Sequence, residues 1–165
     1  MGEELLVRDV LILMICVLTL TRATSGQDLT GLGSFANVRA SATEEPHCYG
    51  WSLRLWRYGD RVIGLLDRHN GLCGDPPCQT LADVSHDAKT GRLSFSAFDM
   101  PFIGTLRGNA VAGTLGSERL RLKRTDDRMD AAWDRTVDAW CDFWRGVPRC
   151  RGVAALCTSL AVPRR

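Results

Sequence analysis

Apolar and polar residues alternate through most of the segment Tyr49–Arg124, and this alternation limits the fold more than any other feature of the sequence. A period of two is typical of strands with one buried face. Turn residues separate about seven such stretches, and Gly108-Asn109 is a two-residue hairpin signal. No helical pattern lies between the stretches, which excludes parallel strands joined by helices. We therefore predict a mainly β fold, a small antiparallel meander of about seven strands curled into a barrel or a sandwich.

Two neighbouring predicted strands share an x-Gly-Thr-Leu pattern, at Ile103–Leu106 and at Ala112–Leu115. Glycine in the middle of a strand permits the bend that a closing sheet needs, or it leaves room for a facing aromatic ring. Both explanations are structural, and neither points to a ligand.

From Thr125 onwards the apolar residues follow the period of a helix. Trp133, Trp140 and Trp144 fall on one side of this helix, and Gly146 ends it. We predict one amphipathic helix of about 20 residues that uses Thr125 as its N-cap and packs on the β-domain.

The N-terminal residues have the pattern of a secretory signal. Val10–Leu20 is an apolar run of eleven residues, too short to cross a bilayer, and small residues precede Gly26 as a cleavage site requires. Residues 1–25 are therefore predicted to be a signal peptide. Residues 26–46 are rich in small residues without a clear period and are predicted to be a flexible leader arm. We expect a secreted or periplasmic protein with no membrane span after the signal is removed.

Export changes the meaning of the cysteines. Of the seven, Cys16 would leave with the signal, and the remaining six are Cys48, Cys73, Cys78, Cys141, Cys150 and Cys157. An even number in an exported chain predicts three disulfides. Three of the six lie early in the mature chain and three lie late, so at least one bridge must tie the C-terminal segment to the rest.

Particular pairings are also expected. The Pro76-Pro77 turn favours a bridge between Cys73 and Cys78. Cys48 would then pair with Cys150 or Cys157. The chain is thus divided into the signal peptide and the arm, an antiparallel β-domain over 47–124, and a helical segment over 125–165 that a disulfide docks onto this domain.

Composition narrows the function. The formal net charge of +2 argues against a dedicated nucleic-acid binder. We expect a non-catalytic binding module that holds a small ligand or a protein at the barrel mouth or on an Arg-bearing face, without a cofactor or a metal. The candidate ligand-binding residues are Trp51, Trp133, Trp140, Trp144, Arg119 and Arg121.

Two alternatives remain open. A secreted enzyme would have its site in the 67–87 loop, where Asp67 lies close enough to His69 to orient the imidazole as a general base. No nucleophile motif accompanies them. A secreted inhibitor would instead present the Cys73–Cys78 loop to a foreign protein. Zinc is not expected at these two cysteines, because no second pair follows at a similar spacing.

Overall fold

The computed structural model describes residues 28–42, 45–74, 76–125 and 135–160, so the predicted signal peptide lies outside the described residues. Within these ranges the chain forms eleven strands and two helices. They are β1 (Leu29–Ala36), β2 (Arg39–Ala40), β3 (His47–Tyr58), β4 (Arg61–Leu72), β5 (Cys78–Thr80), β6 (Ala82–Asp87), β7 (Arg92–Ala97), β8 (Met100–Arg107), β9 (Ala110–Leu115), β10 (Glu118–Arg124), α1 (Val137–Arg145), β11 (Cys150–Arg151) and α2 (Val153–Ser159).

The described strands belong to one sheet, which curls into a half-barrel. Their order is β11-β5-β4-β3-β1-β10-β9-β8-β7-β6, and β2 also pairs with β3. All neighbours are antiparallel except β5 and β11, which pair in parallel. The prediction of a mainly β, antiparallel, curled sheet followed by a docked helical segment is confirmed, with more strands than the seven expected.

The β3–β4 hairpin is the longest pairing in the sheet. The two strands are in register from His47 opposite Leu72 to Tyr58 opposite Arg61. Successive side chains of a strand point to opposite faces, and here both faces are covered. Leu53 and Leu66 belong to the core inside the half-barrel, whereas the outer face of the hairpin packs against the helices.

Side chains from nearly every long strand fill the inside of the half-barrel. Its buried members are Phe35, Trp51, Leu53, Leu55, Leu66, Leu81, Leu93, Phe95, Ala97, Phe102, Val111, Leu115, Leu120 and Leu122. The rings of Phe95 and Phe102 stack with centroids 4.6 Å apart. A Cβ atom added at Gly113 would lie 2.8 Å from Cζ of Phe102. The shared glycine pattern therefore leaves room for an aromatic ring, one of the two explanations considered.

The helices form a second layer on the outer face of β3 and β4. Trp140 and Trp144 of α1 are buried there, and Trp140 meets Trp56 edge to face at 5.6 Å. Helix α1 begins after Thr136, whose Oγ1 accepts a hydrogen bond from the Ala139 N–H. The prediction of one helix from Thr125 is wrong, because Thr136 is extended and forms a β-bridge with Asp28. Residues 126–134 lie outside the described residues.

The six cysteines form three disulfides, Cys48–Cys73, Cys78–Cys150 and Cys141–Cys157. The second of these crosses to the C-terminal segment, so the prediction of a crossing bridge is confirmed. Both predicted pairings, Cys73 with Cys78 and Cys48 with Cys150 or Cys157, are wrong. Strand β4 ends just before Cys73, and Cys78 lies beside Asp67 near the middle of that strand. Cys73 and Cys78 are therefore more than about 15 Å apart, beyond the reach of a bridge.

The segment predicted as a leader arm contains β1, which lies between β3 and β10 in the sheet, so a flexible arm over 26–46 is wrong. The alternation in Leu29–Ala36 is interrupted by a register shift against β3 between Gly31 and Gly33. Such a bulge moves the later side chains to the other face. Gly33 has φ +138°, which favours glycine. Because of this bulge, the sequence of β1 does not show the alternation of apolar and polar residues that predicts a strand.

We expect Cys78→Ser/Cys150→Ser to lower the free energy of unfolding by about 4 kcal/mol, because this bridge closes the longest loop. Its sequence separation is 72 residues, against 25 for Cys48–Cys73. Cys48→Ser/Cys73→Ser is the matched control and should cost less. Urea denaturation measures both. A larger loss in the control would contradict the assignment of the crossing bridge as the principal covalent link.

Candidate binding groove

A groove opens on the surface where β1 and β10 separate, with a volume of about 630 Å³. Strand β10 forms one wall, and the chain from the end of β1 through β2, with β3 behind it, forms the other. The residues that line it are Ala36, Asn37, Val38, Arg39, Tyr49, Gly50, Arg119, Arg121 and Lys123. We call it the basic groove.

The alternation of β10 places its three cations in this groove. Leu120 and Leu122 are buried inside the half-barrel, so Arg119, Arg121 and Lys123 point to the opposite, exposed side. Alternate residues of a strand are about 6.8 Å apart, which gives a straight row of charges. Arg39 of β2 adds a fourth exposed cation from the other wall.

The described residues that line the basic groove include no carboxylate. The adjacent acid, Glu118, accepts a hydrogen bond at 3.3 Å from the indole N–H of Trp51. Four positive charges concentrated on one surface of a chain with a net charge of only +2 create a strong local potential. This potential attracts anions.

Tyr49 adds an aromatic surface beside the cations. Tyr49 is 53% exposed, although tyrosine usually buries much of its ring. The ring stacks against His47 with centroids 6.4 Å apart and an interplanar angle of 14°. The groove therefore combines positive charge with a flat apolar surface.

Only some of the predicted ligand-binding residues meet in this groove. Arg119 and Arg121 line the groove. Trp51 is buried in the inner core, and its indole N–H donates a hydrogen bond to Glu118, the residue before Arg119. Trp140 and Trp144 are packed between α1 and the sheet, and Trp133 lies outside the described residues.

Sequence reasoning missed the remaining polar residues that line the groove, which are Asn37, Arg39, Tyr49 and Lys123. Lys123 continues the alternation of Arg119 and Arg121, so the strand pattern already contained it. Arg39 lies in the segment 26–46, whose sequence pattern predicts an arm and no strand.

The candidate catalytic residue Asp67 has a structural partner. Its Oδ2 accepts a hydrogen bond at 2.8 Å from Arg54, and its side chain is almost fully buried. The guanidinium of Arg54 also lies 4.7 Å from the ring centroid of Trp144. A cation between a carboxylate and an aromatic ring links the sheet to α1.

His69 lies on β4 rather than in a loop, and its Nε2 is 2.8 Å from Oγ of Ser52 on the neighbouring strand. Burial lowers the pKa of His69 below its ordinary value; the Asp67 charge opposes this effect and the Arg54 charge adds to it. The imidazole is then a neutral base at pH 7. A serine hydroxyl beside a neutral imidazole has the geometry of a nucleophile and its base, while the Asp67 carboxylate binds Arg54.

The loop expected over residues 67–87 is mostly strand, because β4 continues to Leu72, β5 begins at Cys78 and β6 extends to Asp87. Cys73 and Cys78 bind different partners, so the disulfide-closed tip that an inhibitor would present does not exist.

Comparison of the chain with protein-family models, with curated proteins and with solved structures found no match. In the described part of the chain, no group of three or more histidine, cysteine or acidic side chains is placed to hold a metal ion. Neither helix in that part is long and apolar enough to span a membrane.

We expect Arg54→Met to lower the free energy of unfolding by about 2–3 kcal/mol, because Asp67 would keep a buried charge without its partner. A fully buried pair would cost more, but the side chain of Arg54 is 25% exposed. The double variant Arg54→Met/Asp67→Leu removes both charges and should recover most of the loss. Urea denaturation compares the three proteins. Equal stability of Arg54→Met and the wild type would contradict the role assigned to this pair.

We expect stability to fall as the pH drops below 6.5, the ordinary pKa of histidine, because burial lowers the pKa of both His69 and His86. In that range the unfolded chain binds more protons than the folded chain, so stability is fully present above it and decreases towards acid. His69→Gln should flatten this dependence, and His86→Gln measures the second contribution. Urea midpoints at neutral and acidic pH test it; an unchanged pH dependence in both variants would be the contrary result.

Proposed function

We propose that this protein is an exported, disulfide-stapled, non-catalytic binding module whose basic groove holds an anionic ligand or partner. The observation that carries the proposal is the grouping of four exposed cations around one groove whose described lining contains no carboxylate. Arginine guanidinium groups bind carboxylate, phosphate and sulfate through paired hydrogen bonds. The exposed ring of Tyr49 provides apolar contact beside them.

The disulfides support the proposed location. Three intramolecular bridges are compatible with an oxidising compartment, and they are rare in reduced cytosol. We therefore propose that the protein is secreted or periplasmic and that residues 1–25 are its signal peptide.

The filled interior favours the exposed face over the barrel mouth as the binding place. Large side chains such as Phe102, Leu53 and Trp51 occupy the inside of the half-barrel. A ligand inside would have to displace this packed core, whereas the basic groove is open to solvent.

We expect dextran sulfate and tripolyphosphate to bind the protein, with affinity that decreases at high salt because exposed charges are screened. Arg119→Ser/Arg121→Ser should weaken binding at least about tenfold, since each charge-assisted contact contributes about 1.5–3 kcal/mol. Lys89→Ser/Arg92→Ser, at the β6–β7 hairpin, removes the same charge elsewhere and is the control. Isothermal titration at low and high salt measures all three proteins. Equal losses in both variants, or no binding at low salt, would refute the proposal.

A secreted hydrolase is the second candidate, and the contact between Ser52 and His69 is the observation that favours it. A fluorophosphonate probe tests it, because such probes label activated serine hydroxyls. Labelling of Ser52 that disappears in His69→Gln would support an enzyme, and absence of labelling would remove the serine nucleophile from consideration.

A further inference from the structure

The basic groove lies in a fork of the sheet. Strands β1 and β10 share only two register pairs, Phe35 with Arg124 and Ala36 with Lys123. Beyond Ala36 the chain stays on β3, where Arg39 lies opposite Tyr49 in the continuing register. Strand β10 remains on β9 along its whole length. The two strands therefore diverge, and the groove fills the gap between them.

Backbone hydrogen-bonding groups point into this fork from both sides. On the β1 side, the Asn37 N–H donates to the Trp51 carbonyl, towards β3. Peptide groups alternate in direction along a strand, so those of Val38 point the other way, into the fork. On the β10 side, the Thr125 N–H donates to the Ser34 carbonyl of β1, which directs the peptide groups of Arg121 into the fork as well.

No strand in the described part of the chain pairs with β10 on this side between residues 118 and 122. Arg119 follows the same alternation as Arg121, so two consecutive pairing positions of β10 are open. Open strand edges accept extended segments as additional strands. Arg119 and Arg121 therefore belong both to the row of cations and to the open edge.

We propose that the fork binds an extended acidic segment of a partner polypeptide, which pairs antiparallel with β10 and places alternate carboxylates opposite Arg119 and Arg121. This inference rests on the proposed function of the basic groove and names its ligand class. An inserted strand has the same side-chain spacing as β10, so its carboxylates match the row of cations without adjustment. Its other side chains face the same side as Leu120 and Leu122, which favours apolar residues there. The expected motif alternates acidic and β-branched residues.

The open edge is what favours a polypeptide over other polyanions. A sulfated glycan or a nucleic acid can satisfy the cations, but neither carries donors and acceptors at strand spacing. An extended peptide satisfies both the side chains and the peptide groups of Arg119 and Arg121. Residues directly opposite these two exchange both hydrogen bonds with them, so the acidic residues of the ligand also supply its pairing N–H groups.

Three fluorescein-labelled peptides and the intact oxidised protein test this inference by fluorescence polarisation. The first peptide alternates Glu and Val over seven residues, and the second has the same composition with the glutamates grouped. The third alternates but carries N-methyl groups on its glutamate amides, which keeps the charge and blocks pairing with β10. We expect the second and third peptides to bind at least tenfold more weakly than the first.

Hydrogen exchange adds a readout that charge alone would not change. With the alternating peptide bound, the amide hydrogens of Arg119 and Arg121 should exchange at least tenfold more slowly, while tripolyphosphate should leave their exchange rates unchanged. The variant Arg119→Ser/Arg121→Ser should lose peptide binding, and Lys89→Ser/Arg92→Ser should retain it.

The remaining outcomes separate this inference from the proposed function. Equal binding of the three peptides, or binding of dextran sulfate without any peptide binding, would overturn strand insertion and leave the anion-binding groove intact. Failure of all anionic probes to bind would overturn both.

Discussion

The pairing of β3 with β4 is the interaction on which the rest of the structure depends. Twelve register pairs hold this hairpin, and its two faces serve two different cores. Leu53 and Leu66 pack in the core inside the half-barrel, while Trp56 and Ile63 pack against the helices on the other face. Because apolar side chains are buried on both faces, the hairpin gains roughly twice the hydrophobic stabilisation of a strand pair that has one solvent-exposed face. Among the described elements, the helices pack on one side of the hairpin, and β1 and β5 extend the sheet from its two edges.

The outer face of the same hairpin explains why residues that looked catalytic are built into the fold. Asp67 is almost fully buried next to Arg54, and Arg54 lies against Trp144. The ion pair lies within the β3–β4 hairpin, and the cation–π contact between Arg54 and Trp144 is what joins it to α1. The contact between Ser52 and His69 lies on the same face, two residues along each strand from this pair. Of the two residues predicted as catalytic, Asp67 is thus bound by Arg54, whereas His69 contacts Ser52.

Much of the fold could be predicted from local pattern, and the parts that could not depend on long-range contacts. The strands that alternate cleanly, such as Arg92–Ala97, were visible because one face of each is buried. Strand β1 was not, since the bulge at Gly31 and Gly33 breaks its period. The disulfide partners depended on where β4 ends, which only its pairing with β3 decides. Arg119 and Arg121 were identified from sequence, but their meeting with Arg39 required the fork in the sheet.

The disulfide between Cys78 and Cys150 affects the order in which parts of the chain can fold during synthesis. A chain is made from its N-terminus, and β5 must wait for β11, 72 residues later, before its outer edge is covered. Before the chain reaches α1, the outer face of β3 and β4, including Trp56 and Ile63, has no helix against it. A nascent or truncated chain that stops before Val137 would expose this apolar surface and would be prone to aggregation. The segment from Val137 to Leu160 therefore completes the outer core only after β1 to β10 have been made.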